Sequence, residues 1–267
     1  MRREFRVSPI QESQYQEYLE LDKFPQPHVI MKDILIGKLI TRSGLSRNSR
    51  FLDIGCGRGR ILKMLADRGF KGVGIDLQEI CLEICRKRLA GRGIELKKNL
   101  NEIEGTFDLI IMSSVLEHIE DDQGYLQTVS KFLNKGGFFL FTVPGDMRLY
   151  GKRDVAYGHY RRYEKQELID KLGNANLQVH TLWSYGVNTI SRIYRMIISK
   201  DLDRNISNSK FDSTEKSAIE SDGFQKIKRM YPFYSKLMFL YKSQLLLLNT
   251  NIFLAKYAGL FQKIYKI

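Results

Sequence analysis

The stretch from Arg50 to Asp76 limits most severely what this chain can fold into. Phe51, Leu52 and Ile54 form a short apolar run, Gly55, Gly57 and Gly59 follow at alternate positions, and Ile61, Leu62, Met64 and Leu65 then recur at helical spacing. That pattern predicts a buried strand, a glycine turn and an amphipathic helix. Gly69 stands where a helix cap is expected, and Gly72-Val73-Gly74-Ile75 predicts a second strand ending at Asp76. An acid about 20 residues beyond such a loop is placed to reach a ribose hydroxyl.

The glycine spacing narrows the ligand. Dinucleotide sites read G-x-G-x-x-G and seat a pyrophosphate at the helix N-terminus. Here the glycines run G-x-G-x-G, Asp53 precedes them, and Arg60 stands where the third glycine of that fingerprint belongs. A carboxylate beside the loop suits a cationic ligand better than a pyrophosphate. The tract resembles the first motif of the class I S-adenosylmethionine methyltransferases. That resemblance implies that Asp53, Gly55, Cys56, Gly57 and Gly59 surround the methionine end of S-adenosylmethionine, with Asp76 and Leu77 on its ribose side.

Downstream the chain alternates strands and helices. A helix is expected over Gln78 to Leu89, a strand at Ile94-Glu95-Leu96, a strand over Phe107 to Met112, a helix over Asp122 to Leu133, a turn at Lys135-Gly136-Gly137 and a strand over Phe138 to Pro144. Such alternation predicts a doubly wound sheet whose ligands bind beyond the carboxyl ends of the strands. Family members carry an acid after the third strand that meets the adenine amino group. The match here is Asn99 beside Leu100, an amide oxygen in place of a carboxylate. Ser113-Ser114-Val115-Leu116-Glu117-His118 resembles the family's fourth motif, which implies that Ser113 and His118 line the cofactor. Glu117 and His118 are open to two readings, acid–base chemistry or hydrogen bonds that fix the loop.

The tract Asp154-Val155-Ala156-Tyr157-Gly158-His159-Tyr160-Arg161-Arg162-Tyr163 resembles the D-x-x-x-G-H-x-R-R-F/Y segment found after strand five in many methyltransferases, where it faces the substrate. His159 is the candidate base, Asp154 its orienting carboxylate, and Tyr163 a further residue at the acceptor. The competing reading pairs Arg161 or Arg162 with Asp154 and makes the whole tract a loop clamp. No metal-ligand spacing is present. Cys56, Cys81 and Cys85 fit neither a disulfide framework nor a zinc pattern, and Cys81 and Cys85 are expected as small buried groups.

After a sixth strand over Leu177 to Trp183, with His180 facing solvent, residues 187–256 read as helical and 257–267 as a strand. The expected architecture is therefore one Rossmann-like α/β domain. It is a seven-stranded doubly wound sheet, parallel with an antiparallel strand seven, with a basic helical cap inserted between strands six and seven. Residues 1–45 supply leading helices that pack on the core or close over the cofactor, and residues 46–186 form the S-adenosylmethionine-binding core.

Charge and length bound the partners. With 267 residues and 43% hydrophobic content the chain is of the globular class, and its net charge of +13 favours phosphate-bearing partners. No run reaches the ~18 apolar residues of a membrane span, and no apolar stretch follows the basic first residues as in a signal peptide, so a cytoplasmic location is expected. Asp222 is the last acid; Lys226, Lys228, Arg229, Lys236, Lys242, Lys256, Lys263 and Lys266 follow among apolar residues. That composition suits either a peripheral contact with an anionic membrane or a cap packed on the core. No nucleic-acid module is visible. The expected activity is S-adenosylmethionine-dependent transfer of a methyl group to a small-molecule, glycan or lipid-like acceptor, first of all on oxygen. The alternatives are transfer to nitrogen or carbon of a natural product or peptide, an inactive cofactor-binding partner subunit, or a nucleotide-dependent oxidoreductase.

Overall fold

The structure is a computed structural model that describes residues 23, 25, 27–184, 231, 232 and 260–266. Thirteen longer elements carry the fold among these: α1 (Pro27–Arg42), β1 (Arg50–Ile54), α2 (Arg60–Ala66), β2 (Lys71–Ile75), α3 (Glu79–Arg88), β3 (Ile94–Lys97), β4 (Phe107–Ser113), α4 (Asp122–Lys131), β5 (Leu133–Val143), α5 (Lys152–Tyr157), α6 (Lys165–Gly173), β6 (Leu177–Ser184) and β7 (Leu260–Lys266). The sheet order is β3-β2-β1-β4-β5-β7-β6. Neighbours among β1 to β5 pair parallel, and β7 pairs antiparallel with both β5 and β6.

Alternation along the strands divides the core into two faces. Leu52, Ile54, Ile110, Met112, Phe139 and Phe141 turn to the side covered by α4 and α6. Phe51, Leu109, Ile111, Phe138 and Leu140 turn to the side covered by α1, α2 and α3. This is the period of two that a strand imposes, expressed with apolar residues on both faces because helices cover both. The central strands are almost fully withdrawn from water: Ile110, Ile111, Met112 and Phe141 are each 0% exposed. Burial at that level stabilises by roughly 1.5–3 kcal/mol per large side chain.

The leading helix packs rather than floats. Met31, Leu35, Ile36, Leu39 and Ile40 of α1 are buried with Ile61, Leu62 and Leu65 of α2. At the far end of α1 the Arg42 guanidinium lies 5.8 Å from the ring centroid of Trp183 on β6. The first part of the expected leader, residues 1–22, lies outside the described residues, as does the expected cap over 187–256 apart from Tyr231 and Pro232.

Two local expectations are corrected. Lys135-Gly136-Gly137 is not a turn before strand five but part of β5, which starts at Leu133. Gly136 has φ +76, and the pairing with β4 slips between Phe107 and Leu109, so the three residues form an irregularity inside a longer strand. Cys81 is half-buried at the surface of α3, whereas Cys85 is fully buried as expected.

Candidate active site

The polar residues singled out from the sequence collect at the carboxyl ends of the parallel strands. Asp53 is the penultimate residue of β1 and is 1% exposed, yet neither carboxylate oxygen has a hydrogen-bond partner. Burial pushes its carboxyl up to about 8, with the charge of Lys32 pulling it down and that of Asp76 pushing it further up. A buried carboxylate without a donor is costly to keep ionised, so the cleft is built for a cation that the chain does not itself supply in full.

The glycine loop wraps this point. Gly55 donates its N–H to the Ile75 carbonyl at 2.8 Å and Gly57 donates to Asp76 Oδ2 at 2.8 Å. Asp76 also accepts from the Gln78 N–H at 2.9 Å. It therefore braces the loop from the end of β2. Cys56 is buried beneath the loop, and Gly59 opens α2. At Gly55 (φ +69) an added Cβ would lie 2.3 Å from Val115 Cγ2 in the segment after β4. Gly55→Ala is expected to cost about 2–4 kcal/mol from the left-handed backbone and the displaced valine. It should also weaken cofactor binding at least tenfold, seen in paired thermal melts and calorimetric titrations.

The outer edge of the cleft is open. Leu77 is 74% exposed. Asn99 opens the turn Leu100–Glu102, and its Nδ2 donates to Glu102 Oε1 at 3.3 Å. Leu100 packs on the core. Ser113, the last residue of β4, shares a hydrogen bond with Thr142 at 3.3 Å.

Beyond β4 and β5 lies a second group. Glu117 is 2% exposed, its Oε2 has no partner, and burial pushes its carboxyl up to about 7. Its backbone carbonyl accepts from the Tyr160 N–H at 2.8 Å, which ties the two loops together. The His118 and His159 rings meet edge to face with centroids 4.7 Å apart. His118, exposed, thus stands beside the half-buried His159.

Asp154 is the hub of this group. It is 2% exposed and meets Arg162 through two contacts of 2.9 Å, His159 Nδ1 at 2.9 Å and the Gly151 N–H at 3.0 Å. Burial pushes its carboxyl up, but the hydrogen bonds from Arg162, His159 and Gly151 outweigh that and hold it below its usual value. Asp154 thus meets both His159 and Arg162, while Arg161 pairs with Asp122 instead.

Tyr163 corrects the sequence expectation. It is 0% exposed, and its hydroxyl donates to Asp122 Oδ2 at 3.0 Å and lies 3.1 Å from the Leu116 carbonyl. Burial, with the neighbouring Asp122 charge, pushes its phenol well above the usual range. It ties the loop after β5 to α4 and does not face an acceptor. Lys32 of α1 was missed. Burial lowers its pKa while Asp33, Glu117 and Asp53 pull it back up, so its charge bears on both buried carboxylates of the cleft. The only signal was a lysine between Met31 and Ile34 in a buried helix.

Comparison with known proteins decides the family. The model of a methyltransferase-domain family matches residues 31–182, more than half of the chain and every strand from β1 to β5. The chain belongs to that family. This methyltransferase is 24% identical over 177 residues to the ubiquinone biosynthesis O-methyltransferase of Chromobacterium violaceum, covering 59% of this chain and 76% of the relative. It is 28% identical over 176 residues to the protein of that name from Azoarcus sp., covering 58% and 75%. Its fold is shared with phosphoethanolamine N-methyltransferase 2 of Haemonchus contortus in complex with S-adenosylmethionine, at TM-score 0.52 and 18% identity over 85% of this chain and 51% of that one. The cyclase SpnF shares the fold at TM-score 0.56 and 14% identity over 86% and 80%. A fold common to a methyltransferase and a cyclase leaves the chemistry to the family and the site.

The enzyme is dependent on S-adenosylmethionine, and the residues present fit that cofactor. The unpartnered Asp53 carboxylate offers a buried anionic acceptor for a cationic amino group, and the close approach of Gly55 to Val115 leaves backbone rather than side chain on the cleft wall. Among the described residues no helix is long and apolar enough to cross a membrane.

Proposed function

We propose that this enzyme methylates a hydroxyl oxygen of a small, lipid-like acceptor, with S-adenosylmethionine as donor. In this reading Asp53 and the loop Gly55-Cys56-Gly57-Gly59 hold the methionine end of the cofactor. Asp76 and Leu77 lie along its ribose, Asn99 and Leu100 at its adenine, and Ser113 near the sulfonium. When bound, the cofactor supplies an electrophilic methyl group on a sulfonium. The chain has to hold a nucleophile in line with that methyl and take up its proton.

The observation that carries the reading is the pairing of His159 with Asp154. The carboxylate can only accept, so the bond at 2.9 Å fixes the hydrogen on Nδ1 and leaves the lone pair of the neutral ring at Nε2. A hydroxyl proton has an acceptor there. The names of the two bacterial relatives support oxygen as the methylated atom. An apolar acceptor is supported by Met147, Leu149, Val155, Tyr157 and Tyr160, which stand 44–63% exposed on the segment after β5. The seven-stranded form of the sheet, with residues 187–256 inserted between β6 and β7, belongs to the same reading. The basic residues from Lys226 to Lys266 then offer a surface to an anionic head-group region, and no nucleic acid is called for.

The test is turnover with phenolic and amine acceptors, followed as methylated product. Methyl ethers are expected, and His159→Ala should lower kcat by about 100-fold or more with cofactor affinity changed only a few fold. Methylation of amines alone, or full activity in His159→Ala, would sink the reading.

A further inference from the structure

Glu117, His118 and His159 each bring one potential ligand atom within 4.8 Å of the other two. They arrive from two separate segments, the turn Leu116–His118 after β4 and the loop that follows α5.

Two observations distinguish this meeting from a chance cluster. Glu117 is 2% exposed and its Oε2 has no hydrogen-bond partner, so the chain buries an acceptor that nothing described satisfies. The histidines, by contrast, are both oriented from behind. His159 Nδ1 is held by the Asp154 carboxylate at 2.9 Å, and His118 Nδ1 lies 3.2 Å from the Gly158 carbonyl. Both partners only accept, so each Nδ1 carries the hydrogen. A carboxylate or backbone carbonyl behind Nδ1 is the arrangement that outer partners impose on histidines that bind metals.

We propose that Glu117, His118 and His159 hold a divalent transition-metal cation, with zinc as the best match, through one carboxylate oxygen and two imidazole nitrogens. Two imidazoles disfavour magnesium or calcium, which take oxygen ligands, and three ligands leave a position open, as in catalytic zinc sites. Ligand atoms around tetrahedral zinc stand about 3.3 Å apart, so the three groups close by at most about 1.5 Å, within the reach of side-chain torsions.

The site deepens the function proposed above and rests on its assignment of the acceptor mouth, but it changes one role. An acceptor hydroxyl at the open position loses its proton to solvent, because a bound cation lowers the pKa of an oxygen acid. The resulting oxyanion attacks the sulfonium methyl. The C–O bond forms as the C–S bond breaks, the sulfur keeps that electron pair as a neutral thioether, and the two opposite charges cancel. His159 is then a ligand and not the proton acceptor.

The experiment titrates zinc alone into tag-free, chelator-stripped full-length protein by calorimetry, with cobalt(II) absorption as a second readout. One saturable equivalent is expected. Glu117→Gln, His118→Ala and His159→Ala should each weaken it tenfold or more, while His180→Ala on the exposed face of β6 leaves it unchanged. Absence of saturable binding to the wild type, or binding that survives Glu117→Gln and His159→Ala, overturns the site. Neither cofactor nor acceptor is present in the titration, so its outcome is independent of the oxygen reading. Zinc-free protein that forms methyl ethers at the full rate overturns the catalytic part and returns His159 to its role as base.

Discussion

Asp53→Asn is expected to lose about 100-fold in affinity for S-adenosylmethionine while gaining stability at alkaline pH in the empty protein. The first effect follows from removing the charged partner of a buried cationic amine, a contact on the order of 2–3 kcal/mol. The second follows from the sign of the shift. The Asp53 carboxyl is raised from 3.8 to about 8, so between those values the folded protein keeps a proton that the unfolded chain has released. Folding stability therefore falls as pH rises through that window, is level above it, and carries no contribution from Asp53 below it. Asparagine has no such slope. Wild type and variant should melt together near the lower end of the window, whereas at its upper end the variant should melt about 10 °C or more higher, since the rise from 3.8 to about 8 is an effect on the order of 5 kcal/mol. Cofactor affinity of the wild type should also climb with pH up to about 8, since the cation needs the ionised form. Parallel melting curves at all pH values would show that Asp53 is not a buried acid in the empty cleft.

The second large effect is expected at Asp154→Ala. Arg162, only 17% exposed at its side chain, loses both of its carboxylate contacts, and His159 loses the group that fixes its tautomer. Removing one member of a buried pair costs about 3 kcal/mol or more, so the melting temperature should drop by about 6–12 °C. Activity should fall at least as far as in His159→Ala, because the ring becomes free to turn and the loop that presents it loosens. Asp154→Asn separates the two contributions: an amide keeps the shape and one acceptor but not the charge. Stability close to wild type in Asp154→Ala would mean that the Arg162 contacts contribute nothing to the loop.

What could be read in the sequence follows the range of the interactions involved. β1, β4 and the glycine loop were legible because each is set by neighbours within a few residues: alternating apolar side chains, or backbone angles that glycine tolerates. The pairing of Asp154 with His159 and Arg162 was legible for the same reason, lying within eight residues. Tyr163 was misassigned because what draws it inward, Asp122, stands 41 residues upstream on α4. Asp76 was seen as a cofactor contact, but its hold on the Gly57 N–H across 19 residues was not. Lys32 escaped because periodicity counts the apolar residues of α1 and says nothing of a cation among them. The run Lys135-Gly136-Gly137 reads locally as a turn, and only its pairing with β4 absorbs it into a strand.

The contact between Arg42 and Trp183 has a practical consequence. The chain has one tryptophan, and it sits where the end of the leading helix meets β6. Excitation of the indole therefore monitors the docking of that helix against the sheet rather than the melting of the whole domain. Quenching or a spectral shift that precedes loss of the far-ultraviolet signal would time the release of α1, the element that carries Lys32 toward Asp53 and Glu117. The protein contains its own optical gauge of whether α1 is docked.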